Sequence, residues 1–421
     1  MKLGEFGKNI FMLAGGTAFA QVLSFLLIPI ITRIYSPEEY GILAVYVSVL
    51  GLISILGSMN YELAIPIAEN EKKAINVLGL SLIILSISFV LLVVLVIFVG
   101  DPILIMLNNE TLIDYKLLIP IGFFLLGVYN ILKQWAIRRK AFKGITKTKY
   151  IQAILQNITT IGLGTLGVGG IGLLLGKMVG QSSGISTLMS PLLRREKELF
   201  NKIKKRYLLW AAKRYNKFPL YTTPRRYLGD ITIVLPVLFI TSIYGSEEVG
   251  LFGLANSVVQ IPMTLIGASV SDVYYAESAK LRGTNPAKLK KLSHKLLRNL
   301  IFIGIIPLIL LVLFGPYLFS FVFGNQWSEA GVYASLLSLS VFSRLVFKPI
   351  SNIFDVFEKQ RIALLLNIFR LVSVLIVFGI TKYMALNPYW AIGLYSASMS
   401  LVYFTQYLLA QKILDSAIKR F

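Results

Sequence analysis

The chain has 421 residues, a length that could fold as two or three soluble domains, but its composition is 56% hydrophobic with only 15% charged residues and a mean hydropathy of +0.73. That leaves too little polar surface to solvate globules of this size, so a polytopic membrane protein is expected, with no soluble domain left over. The net charge of +22 would suggest a nucleic-acid partner in a soluble protein, and here its distribution along the chain excludes that reading. A helical span needs about 20 apolar residues. Hydropathy, punctuated by Gly, Pro and charge clusters, places twelve spans near 9–34, 41–64, 74–99, 117–137, 149–168, 170–193, 218–244, 249–271, 297–320, 330–354, 362–383 and 389–412. The run SLIILSISFVLLVVLVIFVG at 81–100 is helical in length and continuity, which argues against a transmembrane barrel of alternating ten-residue strands. The first apolar stretch continues through Ile34, too long for a signal peptide, and reads as a retained span.

Alternate connections differ sharply in charge. Of the 42 Lys and Arg residues, one side carries only Arg33, Lys116 and Lys382, the spans hold Lys177, Arg344, Lys348 and Arg370, and the rest fall on the other side. The positive-inside rule therefore places both termini in the cytoplasm of a multi-pass inner-membrane protein, consistent with an even number of spans. These basic loops contact anionic membrane lipids, and nothing in them calls for nucleic acid. The longest, RREKELFNKIKKRYLLWAAKRYNK at 194–217, is expected to form an amphipathic surface helix. The outer loops, the longest near 100–116 and 321–329, are too short to house a catalytic domain.

Cysteine is absent, and the single histidine, His294, sits in the basic segment KLKKLSHKLLR. Thiolate chemistry is excluded, and metal or histidine-based catalysis is disfavoured; no cofactor, metal or enzymatic activity is expected.

TRIYSPEEYG at 32–41 matches TSIYGSEEVG at 241–250, and GDPILIMLNN at 100–109 resembles GPYLFSFVFGN at 315–325. An offset of about half the chain divides it into six-helix lobes, 1–193 and 218–421, joined by the basic linker 194–217. Both halves begin on the same side, so they are parallel repeats. That architecture puts a central cavity between the lobes and suits alternating access.

Charges inside the spans carry the functional signal, because burying one in hydrocarbon costs several kcal/mol unless it faces water or a partner. Lys177 lies about seven residues into its span, about 10 Å deep at about 1.5 Å per residue. Arg344 and Lys348 share a helical face that Asn352 would extend, with Pro349 a kink point. Together with Arg370 they outnumber the deep carboxylates, among which Asp230 is the best candidate for ion coupling, alongside Glu62, Asp272 and Asp355 nearer the inner ends. The surplus implies an anionic guest such as phosphate or pyrophosphate, which Arg grips bidentately and Lys meets as a point charge. For each cation the alternative is a structural pair or an inward snorkel. Arg33 is either an outer interface anchor or a cavity cation, while Arg225 and Arg226, after FPLYTTP, line an inner entrance or a plain loop. Gln152 and Gln156 share a face suited to sugar hydroxyls, or equally to interhelical hydrogen bonds.

The stretch LLIPIITRIYSPEEYGILA, with YELAIPI, KQWAIRRKAFK, GKMVGQ, KFPLYTTP, LFGLANSVVQIPMTLIG and FGNQWSEAG following in order, resembles the oligosaccharide flippase family. This is the Wzx-like polysaccharide transport branch of the multidrug/oligosaccharidyl-lipid/polysaccharide (MOP) exporter superfamily. The resemblance covers nearly the whole chain. It implies an all-α, MATE-like fold of two homologous six-helix lobes around a central cavity. The implied activity is movement of a polyprenyl-pyrophosphate-linked oligosaccharide from the inner to the outer leaflet for cell-surface polysaccharide biosynthesis, with H+ or Na+ as candidate coupling ion. It also implies that the pyrophosphate meets cavity cations, here Arg33, Lys177, Arg344 and Arg370. Arg344 and Asp230 depart from the uncharged residues common at these positions in relatives. A multidrug or cation antiporter of the same superfamily would favour acidic cavity residues, opposite to this cationic excess, and a membrane enzyme acting on lipid-linked sugars lacks outer loops of sufficient size.

Overall fold

The computed structural model describes residues 5–261 and 267–419, and their side chains except at 5–14, 268, 269 and 272. Among the described residues every regular element is helical. The expected span 249–271 therefore includes 262–266, which lie outside the described residues, as does the side chain of Asp272.

In chain order the helices are α1 (Glu5–Ile34), α2 (Pro37–Ser54), α3 (Glu71–Met106), α4 (Leu118–Arg138), α5 (Phe142–Thr165), α6 (Ile171–Arg195), α7 (Lys205–Arg214) and α8 (Thr223–Tyr244). There follow α9 (Ser246–Val259), α10 (Ala268–Leu281), α11 (Pro286–Phe323), α12 (Ser328–Phe347), the single turn α13 (Ile353–Val356), α14 (Gln360–Tyr383) and α15 (Pro388–Ile418). A helix stands at each of the twelve expected positions. Seven segments are long and apolar enough to cross a membrane among the described residues, including α3 at 36 residues and α11 at 38. At about 1.5 Å per residue both exceed a hydrocarbon core of about 30 Å, so their polar ends project beyond it.

Local sequence explains where the helices stop. Before α2, the Ser36 hydroxyl accepts from the Glu39 amide at 3.2 Å while the Glu39 carboxylate accepts from the Ser36 amide at 2.8 Å, with Pro37 opening the helix. The expected span 41–64 is interrupted: α2 ends at Ser54, Met59 and Asn60 take left-handed backbone (φ 49° and 60°), and Tyr61–Ala64 is a 3-10 turn. Apolar composition runs through this break, so hydropathy alone could not see it. Pro349 ends α12 near the expected kink, because it lacks an amide proton and clashes with the carbonyl one turn back; Pro349–Asn352 becomes a 3-10 turn. KFPLYT likewise leaves the regular helix as a π-turn over Phe218–Thr222.

The described chain packs as two compact units, Met1–Glu247 and Glu248–Phe421. In the first, α5 and α6 pair along glycines spaced every fourth residue. A Cβ at Gly176 would meet Thr160, one at Gly180 would meet Gln156, and one at Gly184 would meet Tyr129, Gln152 and Thr148. Tyr35 binds the Thr160 carbonyl at 2.7 Å and closes α1 onto this pair. α8 packs on α2 and so belongs with this unit; the packing units divide some thirty residues beyond the expected linker.

That linker is docked. The Asn76 side chain donates to the Lys202 carbonyl at 3.0 Å and accepts from the Lys204 amide at 3.1 Å, and Tyr61 donates to the Ala212 carbonyl at 3.1 Å. Ile203 and Leu208 lie over Gly79 of α3, and Ala211 is buried. The apolar side of α7 thus meets α3, while its basic residues remain outside.

In the second unit α11 and α12 approach backbone to backbone at Gly315 and Gly331, where Ser335 donates to the carbonyls of Leu311 (2.5 Å) and Gly331 (2.9 Å). Tyr274, Leu289, Ile350, Ile353, Phe354, Leu366, Ala410 and Leu414 form a core joining α10, α11, the 349–356 turns, α14 and α15. At the far end, Tyr333 donates to Glu248 and Tyr389 to Glu329, with the two rings edge to face at 5.7 Å.

Candidate anion-binding clusters

In the first unit Lys177 lies on α6, half-buried, with no hydrogen bond or ion pair among the described residues; its charged neighbour is another cation, Lys149 of α5. Lys149 donates to Gln152 at 3.3 Å and sits 5.3 Å from the Tyr129 ring centroid, and Gln152 donates to the Gln181 carbonyl at 3.4 Å. The Gln181 side-chain oxygen is buried with no hydrogen-bond partner among the described residues. Two like charges therefore share a polar niche with spare acceptor capacity and, among the described residues, no carboxylate paired to either. Gln156, expected beside Gln152, packs against Gly180 and serves the α5/α6 contact.

Arg226, exposed in the first turn of α8, donates to Asn60 at 2.5 Å, and Asn60 donates to Thr223 at 2.8 Å. Buried Glu62 accepts from Ser58 and lies within electrostatic range of Arg226. Arg226 is thus tied to the left-handed turn after α2, which accounts for the polar residues in SMNYELA. Arg225 and Asp230 on α8, and Arg33 in the last turn of α1, are exposed with no hydrogen bond or ion pair between side chains among the described residues.

In the second unit Arg344 of α12 donates to Gln260 at 2.9 Å, and Gln260 is held by its own hydrogen bond to Asn256 at 3.0 Å. Arg344, Arg370 of α14 and Asp355 are the charged neighbours of Lys348, which is exposed. Tyr395 of α15 lies close to both arginines. Lys348 thus has two cations and one carboxylate within electrostatic range. Asn352 does not extend the stripe, because the helix has ended; it turns to α10 and donates to Ser271 Oγ and carbonyl, both at 2.9 Å.

Among the charges sequence reasoning passed over, Lys149 was grouped with the basic loop because it lies at the expected mouth of its span. The motif KQWAIRRK also proves to be a scaffold. Arg138 caps the carbonyls of Ile65 (3.1 Å), Pro66 (3.3 Å) and Ala68 (2.7 Å), and Arg139 bridges Glu71 (2.7 Å) and Glu196 (2.8 Å), the latter also held by Trp135 at 3.0 Å. Outside the spans, the Lys72 ammonium bonds the Tyr207 hydroxyl at 2.8 Å and lowers its pKa, first through that bond and then through its charge. Among the described residues no group of three or more His, Cys, Asp or Glu is placed to hold a metal ion.

Apolar helices of spanning length define a multi-pass helical membrane protein, and the cations within them mark candidate functional sites. The chain belongs to the polysaccharide biosynthesis protein family, whose model matches residues 30–332. A curated relative, the succinoglycan biosynthesis transport protein ExoT of Rhizobium meliloti, is 23% identical over 324 residues, covering 76% of this chain and 62% of its own length. The chain thus spans less than two thirds of that relative. Among solved structures, an inward-facing multidrug resistance MATE family transporter of the MOP superfamily has a TM-score of 0.76 at 17% identity, covering 95% of this chain and 96% of that one. The lipid II flippase MurJ in an inward closed conformation has a TM-score of 0.75 at 15% identity, covering 96% and 87%. These likenesses show the fold. The resemblance to the oligosaccharide flippases and the MATE-like all-α class are borne out at the level of family and fold.

Proposed function

We propose that the protein is a flippase that moves a polyprenyl-pyrophosphate-linked oligosaccharide from the inner to the outer leaflet of the cytoplasmic membrane by alternating access, with both termini cytoplasmic and the repeats 1–193 and 218–421 as its homologous halves. The observation that carries this reading is the clustering of positive charge inside the spans: Lys177 beside Lys149, and Lys348 with Arg344 and Arg370 as neighbours. Each cluster has the sign to hold a phosphate group. Arg344, oriented by Gln260, offers a fixed fork, and Lys177 a mobile point charge. The transport relative and the lipid-carrying fold neighbour support a lipid-linked sugar as cargo. Asp230, exposed on an apolar helix, is the proposed ion-coupling group.

Purified protein in liposomes should move fluorescent lipid-linked oligosaccharide across the bilayer without changing its mass. A new covalent product would indicate an enzyme, and movement of cationic drugs in its place would indicate an antiporter. Imposing proton and sodium gradients separately tests the coupling, and Asp230→Asn should abolish the dependence on one of them.

A further inference from the structure

The second unit has a cavity of about 520 Å³ at the end that carries its basic segments, walled by the end of α10, the 357–359 turn, the start of α14 and the last turns of α15. Its walls are apolar, with Phe357, Ile362, Leu409 and Ile413 among them, and its rim holds three cations, Arg282, Lys359 and Lys412. Arg282 is spoken for: it donates to the Val356 carbonyl at 2.6 Å and to Glu358 at 2.8 Å, and stacks near Phe357. Lys359 and Lys412 are exposed, and neither ammonium has a hydrogen bond or ion pair among the described residues. Arg282 and Glu358 neutralise one another, which leaves the rim with two uncompensated positive charges over an apolar floor.

We infer that this cavity is a binding site for an anionic phospholipid of the inner leaflet, its phosphate between Lys359 and Lys412 and an acyl chain against Leu409, Ile413 and Phe357. Charge complementarity selects the headgroup, since basic pockets between membrane helices on the cytoplasmic side suit anionic lipids. The apolar walls select a lipid over a free anion, because a soluble phosphate would leave that surface without a partner, whereas a chain buries it. The size falls within the range of about 300–1,000 Å³ usual for small-molecule sites. The inference rests on the proposed orientation for the leaflet and is independent of the transported substrate.

Native mass spectrometry and thermal unfolding of the detergent-purified full chain test it, with phosphatidylglycerol, phosphatidylcholine and inorganic phosphate as separate probes. Phosphatidylglycerol should remain bound and raise the unfolding midpoint, while the other two do neither. The double substitution Lys359→Gln with Lys412→Gln should weaken phosphatidylglycerol binding about thirtyfold. Ile413→Trp, which fills the cavity and keeps every charge, should also abolish retention. Lys295→Gln, an exposed basic residue of α11 that does not line the cavity, should leave it unchanged. Equal losses in Lys295→Gln and the double variant, retention in Ile413→Trp, or an equal effect of inorganic phosphate would each overturn the inference. Failure of the flipping assay would leave these measurements as they stand, so the two readings are separable.

Discussion

Lys177 and Arg344 differ in what holds them. The ammonium on α6 has only a like charge and amide groups near it, whereas the guanidinium on α12 is aimed by the Gln260 and Asn256 amides. Neutral substitution at either should therefore leave the fold intact, since no carboxylate loses a partner. Lys177→Gln and Arg344→Gln are each expected to lower flipping in proteoliposomes at least about tenfold, as a lost charge-assisted contact implies, with an unchanged size-exclusion profile. Arg344→Lys should keep part of the rate, because charge survives while the fork does not. Normal transport by a glutamine variant would remove that residue from the proposed anion sites. Arg138 is the opposite case. Its side chain, 11% exposed, is held among three carbonyls, and Arg138→Ala should destabilise the protein by about 3 kcal/mol in denaturant titrations, since charge-assisted hydrogen bonds to largely buried acceptors are lost.

Helix pairing is set by where backbones can approach. At Gly331 an added methyl would meet the backbone of Gly315 and Pro316, so no flexible side chain can yield, and Gly331→Ala should cost about 1–3 kcal/mol. Gly379 on α14 has open space at the same position, and Gly379→Ala should stabilise by up to about 1 kcal/mol. Thermal unfolding of the two variants, measured side by side, checks both signs. The same scale shows what the sequence made legible. Long apolar runs such as α3 and α11 could be placed closely because hydropathy is continuous there, and Pro349 and FPLYTTP announced their own breaks. The end of α2 at Ser54 was hidden, since the chain passes there into tighter turns while apolar residues continue through Ile55 and Leu56, and the left-handed pair Met59 and Asn60 follows only later. The candidate site was legible as a set of charges in the wrong solvent. Its pairings were not, because the Arg344–Gln260 and Arg226–Asn60 bonds join residues far apart in the chain, a separation no local pattern records. The two matching segments use their second glutamate differently: Glu39 caps its own helix, whereas Glu248 accepts from Tyr333.

Across the whole molecule the proposed topology makes a direct demand on accessibility, and a chain without cysteine allows it to be read by single introduced thiols. Glu110 and Asn325 are exposed and should label from outside intact cells with an impermeant maleimide, while Lys205 should label only after permeabilisation. Asn108 is a poorer site than Glu110, because its φ of 51° disfavours cysteine. Labelling in the reverse sense would invert the arrangement and with it the leaflet assigned to the lipid cavity.

The docking of residues 202–214 onto α3 has a consequence for severed chains. An interruption between Arg195 and Lys197 would leave the second fragment beginning with a segment whose partners, Asn76, Tyr61 and Gly79, all belong to the first. That segment would act as a built-in clasp. Two co-expressed pieces divided there should co-purify, held by this clasp together with the packing of α8 on α2, and Asn76→Ala, which removes the bonds to both Lys202 and Lys204, should weaken their association while the uncut protein tolerates the same change.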